Sequence, residues 1–130
     1  MANEPKILLF HMNNDRQRSI EKLCRSLTVP IKVINIRPAM YSQTIGYLAG
    51  ITGFDRCNTL YSGNDLDSEM LVFSGVDSDL MDEFINRMKQ TGIPKIALKA
   101  VITPTNIFWT PHKLYDHLCQ EHRTMNNILQ

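Results

Sequence analysis

The chain contains one order of elements twice, and this recurrence limits its fold more than any other feature. The apolar run "ILLF" from Ile7 and the run "MLVF" from Met70 each precede a stretch at helical spacing. Val29-Pro30 and Ile93-Pro94 then lead into a second apolar run in each case. Residues 7–11 read as a first strand after Pro5. Asn13-Asn14-Asp15 opens a helix carrying Ile20, Leu23, Cys24 and Leu27, and "IKVINI" (31–36) reads as a second strand. Tyr41, Ile45, Leu48 and Ala49 suggest a short helix that Gly50 closes. The order then returns with a strand at 69–75 and a helix capped by Asp77, with the stripe Leu80, Met81, Phe84, Ile85 and Met88. A strand at 95–102 follows, then a last helix from Thr110 using Leu114, Tyr115, Leu118, Cys119 and Met125. Residues 52–68 have no period and many turn formers. The expectation is a single domain over 1–130: half one at 5–51, a connector at 52–68, and half two at 69–125, the halves being an internal duplication.

Strands joined through helices run parallel, with right-handed crossovers. Two such β-α-β-α halves predict an α/β fold, with one four-stranded, mostly parallel sheet of order 2-1-3-4 and helices on both faces. A ferredoxin-like α+β arrangement is the alternative. In the expected sheet, ligands bind outside the carboxyl ends of the strands. That edge would gather His11, Met12, Asn13, Asn14 and Arg37 with Ser74, Gly75 and Asp77, and with Thr103, Thr105 and Asn106.

Composition excludes several classes. Fourteen basic and thirteen acidic residues give a net charge of +1, no field for nucleic acid or an anionic membrane. The start "MANEPKILLF" lacks the pattern of a signal peptide, and no apolar run approaches the ~20 residues that span a bilayer. Cys24, Cys57 and Cys119 are odd in number and form no CxxC pair, which predicts free thiols and a cytoplasmic setting. No GxGxxG, GxxxxGK[ST] or GxSxG occurs, and no cofactor is expected. His112, His117 and His122 are spaced so as to scatter around a helix, and Asp77 with Asp79 suits a helix's first turn. No metal site is expected from either set.

The stretch 98–113, "LKAVITPTNIFWTPHK", is the most individual. Together with "EMLVFSG" (69–75), its "LKAVITPTNIFWT" string resembles a bacterial and archaeal family of unknown function, DUF3783, over roughly residues 66–122. The resemblance implies a shared fold and motif and no chemistry. It places Lys99, Thr103, Pro104, Thr105, Asn106, Trp109 and Thr110 on the motif's positions. Read physically, Pro104 ends the strand within a turn, Thr110 suits a helix N-cap, and Pro111 suits the first helical position. Trp109 and Leu114 have the spacing of a hydrophobic staple. Lys99 reads either as a guard on an edge strand or as a fixed charge for an anion.

The candidate ligand-binding set is therefore Lys99, Thr103, Thr105, Asn106, Ser74, Asp77 and Asn13, with no catalytic residue assigned. The expected function is binding of a small ligand or a protein partner without catalysis. One alternative is an enzyme acting on a small anion at the strand ends; another is a module of a larger complex.

Overall fold

Strands β1 (Lys6–Phe10), β2 (Lys32–Ile36), β3 (Met70–Ser74) and β4 (Leu98–Val101) form one sheet in the order β2-β1-β3-β4. They alternate with helices α1 (Asn14–Arg25), α2 (Ile45–Leu48), α3 (Ser78–Gln90) and α4 (Pro111–Leu129), and 3-10 turns lie at Pro38–Met40 and Asn106–Phe108. The structure, a computed structural model, describes residues 4–129. The first residues of the N-terminal segment considered above lie outside the described residues. No helix among the described residues is long and apolar enough to cross a membrane.

The sheet is mixed. β1 pairs parallel with β2, and β3 pairs parallel with β4, but the central β1–β3 pair is antiparallel, with Lys6 opposite Ser74 and Phe10 opposite Met70. The parallel outer pairs exclude the ferredoxin-like alternative. Crossover handedness explains the central reversal. A right-handed β-α-β unit fixes the face on which its helix lies once the direction of its strands is set. The two units extend from the sheet centre to opposite sides, so they place α1 and α3 on one face only if β1 and β3 run in opposite directions. These helices do share a face, burying Ile20, Leu23, Leu80, Phe84 and Met88 in one cluster against Ile7, Leu9, Leu71 and Phe73. The opposite face packs Leu8, Phe10, Met70, Val72 and Leu98 against Ile45, Leu48, Leu114 and Tyr115 of α2 and α4. Successive strand residues alternate between the faces, so strands covered on both sides are apolar throughout. Each such buried side chain contributes about 1.5–3 kcal/mol.

Local signals set the element ends. Asn13 Oδ1 accepts from the Arg16 N–H at 2.8 Å, and Asp77 Oδ1 from the Leu80 N–H at 2.9 Å; each caps its helix. The connector contains no helix or strand. It is tied down by the buried Gln43, whose amide exchanges two 2.7 Å hydrogen bonds with the backbone of Cys57. Two expectations change. Lys95 precedes β4 instead of belonging to it, and Met125, expected on the apolar stripe of α4, is exposed.

Candidate functional site

Where β1 leaves the sheet, the backbone turns through His11 with φ 59°, the one non-glycine residue at positive φ among the described residues. The matching turn after β3 has Gly75 at φ 67°, and each turn reaches its N-cap, Asn13 or Asp77, two residues later. A residue with a Cβ pays about 1–2 kcal/mol in this region, and glycine does not. Half one therefore carries a histidine where half two shows that glycine serves the backbone.

The His11 side chain is fixed by the connector. Its Nδ1 lies 2.9 Å from Asp65 Oδ2. Asp65 Oδ1 accepts from the Tyr41 hydroxyl at 2.7 Å and from the Leu66 N–H at 2.7 Å. Burial acts to raise the Asp65 pKa. The hydrogen bonds from Tyr41, His11 and the Leu66 N–H, with the charge of His11, outweigh that and hold the carboxyl below its ordinary value. The ionised carboxylate accepts, so the His11 Nδ1–H donates. Burial, with the Asp65 hydrogen bond and charge, pushes the Tyr41 hydroxyl far above its usual range. The Tyr41 ring lies 5.7 Å from Tyr61 and 5.4 Å from His112, and the Tyr61 hydroxyl lies 3.4 Å from His112 Nε2. This packing keeps Asp65 and its partners in place.

An open cleft of about 510 Å³ lies in front of this array, at the carboxyl ends of β1 and β2, lined by His11, Asn13, Gln17, Arg37, Asp65 and Glu69. Glu69 is neutralised by Arg16, which holds it through Nε at 2.9 Å and Nη2 at 3.0 Å. The buried Arg16 Nη1 has no partner among the described residues. Asn13 is occupied as a cap, and the Gln17 amide donates to the Met12 carbonyl at 2.9 Å. Arg37 has no carboxylate within salt-bridge distance among the described residues. The cleft thus presents the Arg37 guanidinium, in no salt bridge among the described residues, beside an imidazole oriented by the Asp65 carboxylate.

The seven residues expected to share one edge are divided between two. Asn13 lies in this cleft; Ser74 and Asp77 lie at the opposite edge, because β3 runs against β1. Lys99, Thr103, Thr105 and Asn106 line a separate cleft of about 550 Å³ along β4, with Trp109. Most polar groups there serve the chain itself. Buried Asn106 accepts from the Thr103 N–H at 2.8 Å and donates to the Val101 carbonyl at 3.0 Å. Thr103 Oγ1 accepts from the N–H groups of Asn106 and Thr105, and Lys99 Nζ donates to the Ile96 carbonyl at 2.6 Å. The Trp109 carbonyl accepts from the Ile45 N–H at 2.8 Å, which joins the motif to α2. The Trp109 ring packs against the cluster containing Leu114, with Lys113 Nζ 5.1 Å from its centroid. At Thr110 it is the carbonyl that accepts from the Leu114 N–H, with Pro111 as the first helical residue. No group of three His, Cys, Asp or Glu side chains able to hold a metal occurs among the described residues.

Sequence reasoning missed Tyr41, Asp65 and Glu69. Asp65 and Glu69 precede β3, and only the antiparallel pairing brings the start of β3 to the end of β1. Tyr41 belongs to the apolar stripe as well, and its ring position there hides the role of its hydroxyl.

The family model of the domain of unknown function DUF3783 matches residues 69–125, from the start of β3 into α4. This is the family that the motif resembles, and the match covers the second half of the chain. No curated protein and no solved structure matches the chain.

Proposed function

We propose that the protein binds a small anionic ligand in the cleft at the carboxyl ends of β1 and β2, with Arg37 as the charge partner and protonated His11, its Nδ1–H held by Asp65, donating to the ligand through Nε2–H. The observation that carries this reading is His11 itself, a histidine held in a backbone conformation that costs free energy where the other half has Gly75. Such strain persists where the surrounding structure enforces it, and it concentrates at functional sites. Arg37 supports the choice of an anion, since a planar guanidinium suits carboxylate and phosphate alike. The three free cysteines suit a reducing, cytoplasmic setting. The matched glycine–histidine turns and N-caps fit descent from a duplicated β-α-β-α unit.

Titrating the ¹³C-labelled histidine side chains with inorganic phosphate, citrate and a nucleoside monophosphate tests the binding reading. At least one anion is expected to move the His11 Cε1 resonance in wild type and not in Arg37→Ala. If no anion moves it, the reading fails. One observation favours an enzyme as the second reading: in the neutral imidazole Asp65 fixes the Nδ1–H of His11 and leaves Nε2 as the proton acceptor, the arrangement of an oriented general base. Asparagine tolerates the left-handed backbone. Under the enzyme reading, His11→Asn retains anion binding and loses turnover.

A further inference from the structure

A second cavity, of about 350 Å³, lies away from the His11 cleft, between the last turns of α3 and the segment entering β4. Ile85 and Met88 line its helix side, and Ile93 and Ile96 the other. These four side chains belong to the core cluster beneath α1 and α3 or pack against it, so the cavity opens directly onto the apolar interior. The remaining lining residues are Lys89, Lys95 and Lys99, and no carboxylate lines the cavity. None of the three lysines is in a salt bridge among the described residues. The nearby ion pair, Arg16 with Glu69, is already balanced and touches Lys95 only through its carbonyl, at 3.3 Å from Arg16 Nη2.

Lys89 and Lys95 stand exposed at the rim of the cavity, and Lys99 is half-buried. Lys99 loses part of its hydration without a compensating charge. Its strand partner is the buried Leu71, and burial together with the charge of Lys95 holds its amine below the usual lysine range. Its one hydrogen bond, to the Ile96 carbonyl, leaves further N–H donors on the ammonium. An edge guard needs a solvated lysine; Lys99 is half-buried against isoleucines. The complement of this lining is a molecule with an apolar body and a single anionic head.

We infer that the cavity between α3 and β4 is a binding site for a soluble anionic amphiphile, its apolar chain against Ile85, Met88, Ile93 and Ile96 and its carboxylate or phosphate among Lys89, Lys95 and Lys99. The apolar wall supplies affinity, and the lysines select the charge.

The test follows the side-chain methyl resonances of Ile85, Met88, Ile93 and Ile96 on titration with decanoate and with decyl phosphate, both below their aggregation concentrations. Acetate, decanol and vesicles containing anionic phospholipid are run in parallel. Both decyl anions are expected to shift these methyls saturably, while acetate and decanol leave them nearly unmoved. The double variant Lys95→Gln/Lys99→Gln, with its fold checked by circular dichroism, is expected to weaken decanoate binding about tenfold or more, the loss of charge-assisted hydrogen bonds. Unmoved methyls in wild type overturn the proposal whatever the variant does. Equal binding of decanol and decanoate reduces the site to an apolar crevice, and a response to vesicles alone assigns the lysines to a membrane surface. Either result also overturns it.

Discussion

The turns that leave β1 and β3 are built to one plan and used differently. Each passes through one left-handed residue and reaches a side chain that caps the next helix, Asn13 in one and Asp77 in the other. After β3 the left-handed residue is Gly75, and the neighbouring polar side chains close on the chain itself: Asp77 on the Leu80 N–H, Asn106 on Thr103 and Val101. After β1 the residue is His11, and its side chain lines a cleft together with Arg37 and Asp65. The same backbone solution thus closes on the chain in one half and presents an ionisable side chain to a cleft in the other. A site is recognised by polar groups left over once the backbone is satisfied. Richness in polar residues is a weaker guide, since the motif around Asn106 is rich in them and has few to spare.

The comparison breaks first at Asn106. Asn106→Ala removes the buried amide that pairs the Thr103 N–H and the Val101 carbonyl, and should destabilise the fold by about 1–3 kcal/mol in a denaturant titration. It should leave the anion response of His11 unchanged; a stable Asn106→Ala that has lost that response would transfer the site to the β4 edge. Gly75→Ala should then cost about 1–2 kcal/mol, because it adds a Cβ at φ 67°. A neutral Gly75→Ala would show that the left-handed turn is not strained and would remove the argument from His11.

Titration sharpens the comparison further. Asp65 has its folded pKa depressed, so its contribution to stability is present above its unfolded value, near 3.8, and is lost as pH falls through the lower folded value. Asp65→Asn should therefore flatten the acid limb of stability against pH below about 4. An unchanged limb would mean that the His11–Asp65–Tyr41 array does not hold in solution. Cys24 has the opposite sign. Burial, then the charge of Glu21, raises its thiol from 9.0 to about 12, so stability from the protonated thiol is complete below pH 9.0 and is lost as pH rises toward 12. Cys24→Ala should reduce the alkaline slope, measured against wild type from pH 8 to 11.

Much of the fold was legible because its signals are local. Strand and helix positions, the caps at Asn13 and Asp77, and the strand order follow from periodicity and from the repeated element order. The direction of β3 relative to β1 did not. It depends on which face takes α3, a tertiary outcome that no window of sequence contains. That one reversal decides the membership of the site, since it places Asp65 and Glu69 beside His11 and moves Ser74 and Asp77 away. The strain at His11 was equally hidden, because histidine does not announce a left-handed backbone as glycine does at Gly75. Lys99 could be read as an edge guard or as a charge; the structure shows it half-buried beside the isoleucines of the cavity between α3 and β4, a placement that no window of sequence contains.

The most direct test replaces His11 by glycine and measures stability by denaturant unfolding, alongside thermal shift with the anion that moves the His11 resonance in wild type. Relief of the left-handed strain should offset the lost Asp65 hydrogen bond, leaving His11→Gly within about 1 kcal/mol of wild type, while the anion-induced stabilisation disappears. A His11→Gly protein that is destabilised by about 3 kcal/mol or more, a loss typical of core residues, and that still responds to the anion would make His11 a structural residue and contradict the account.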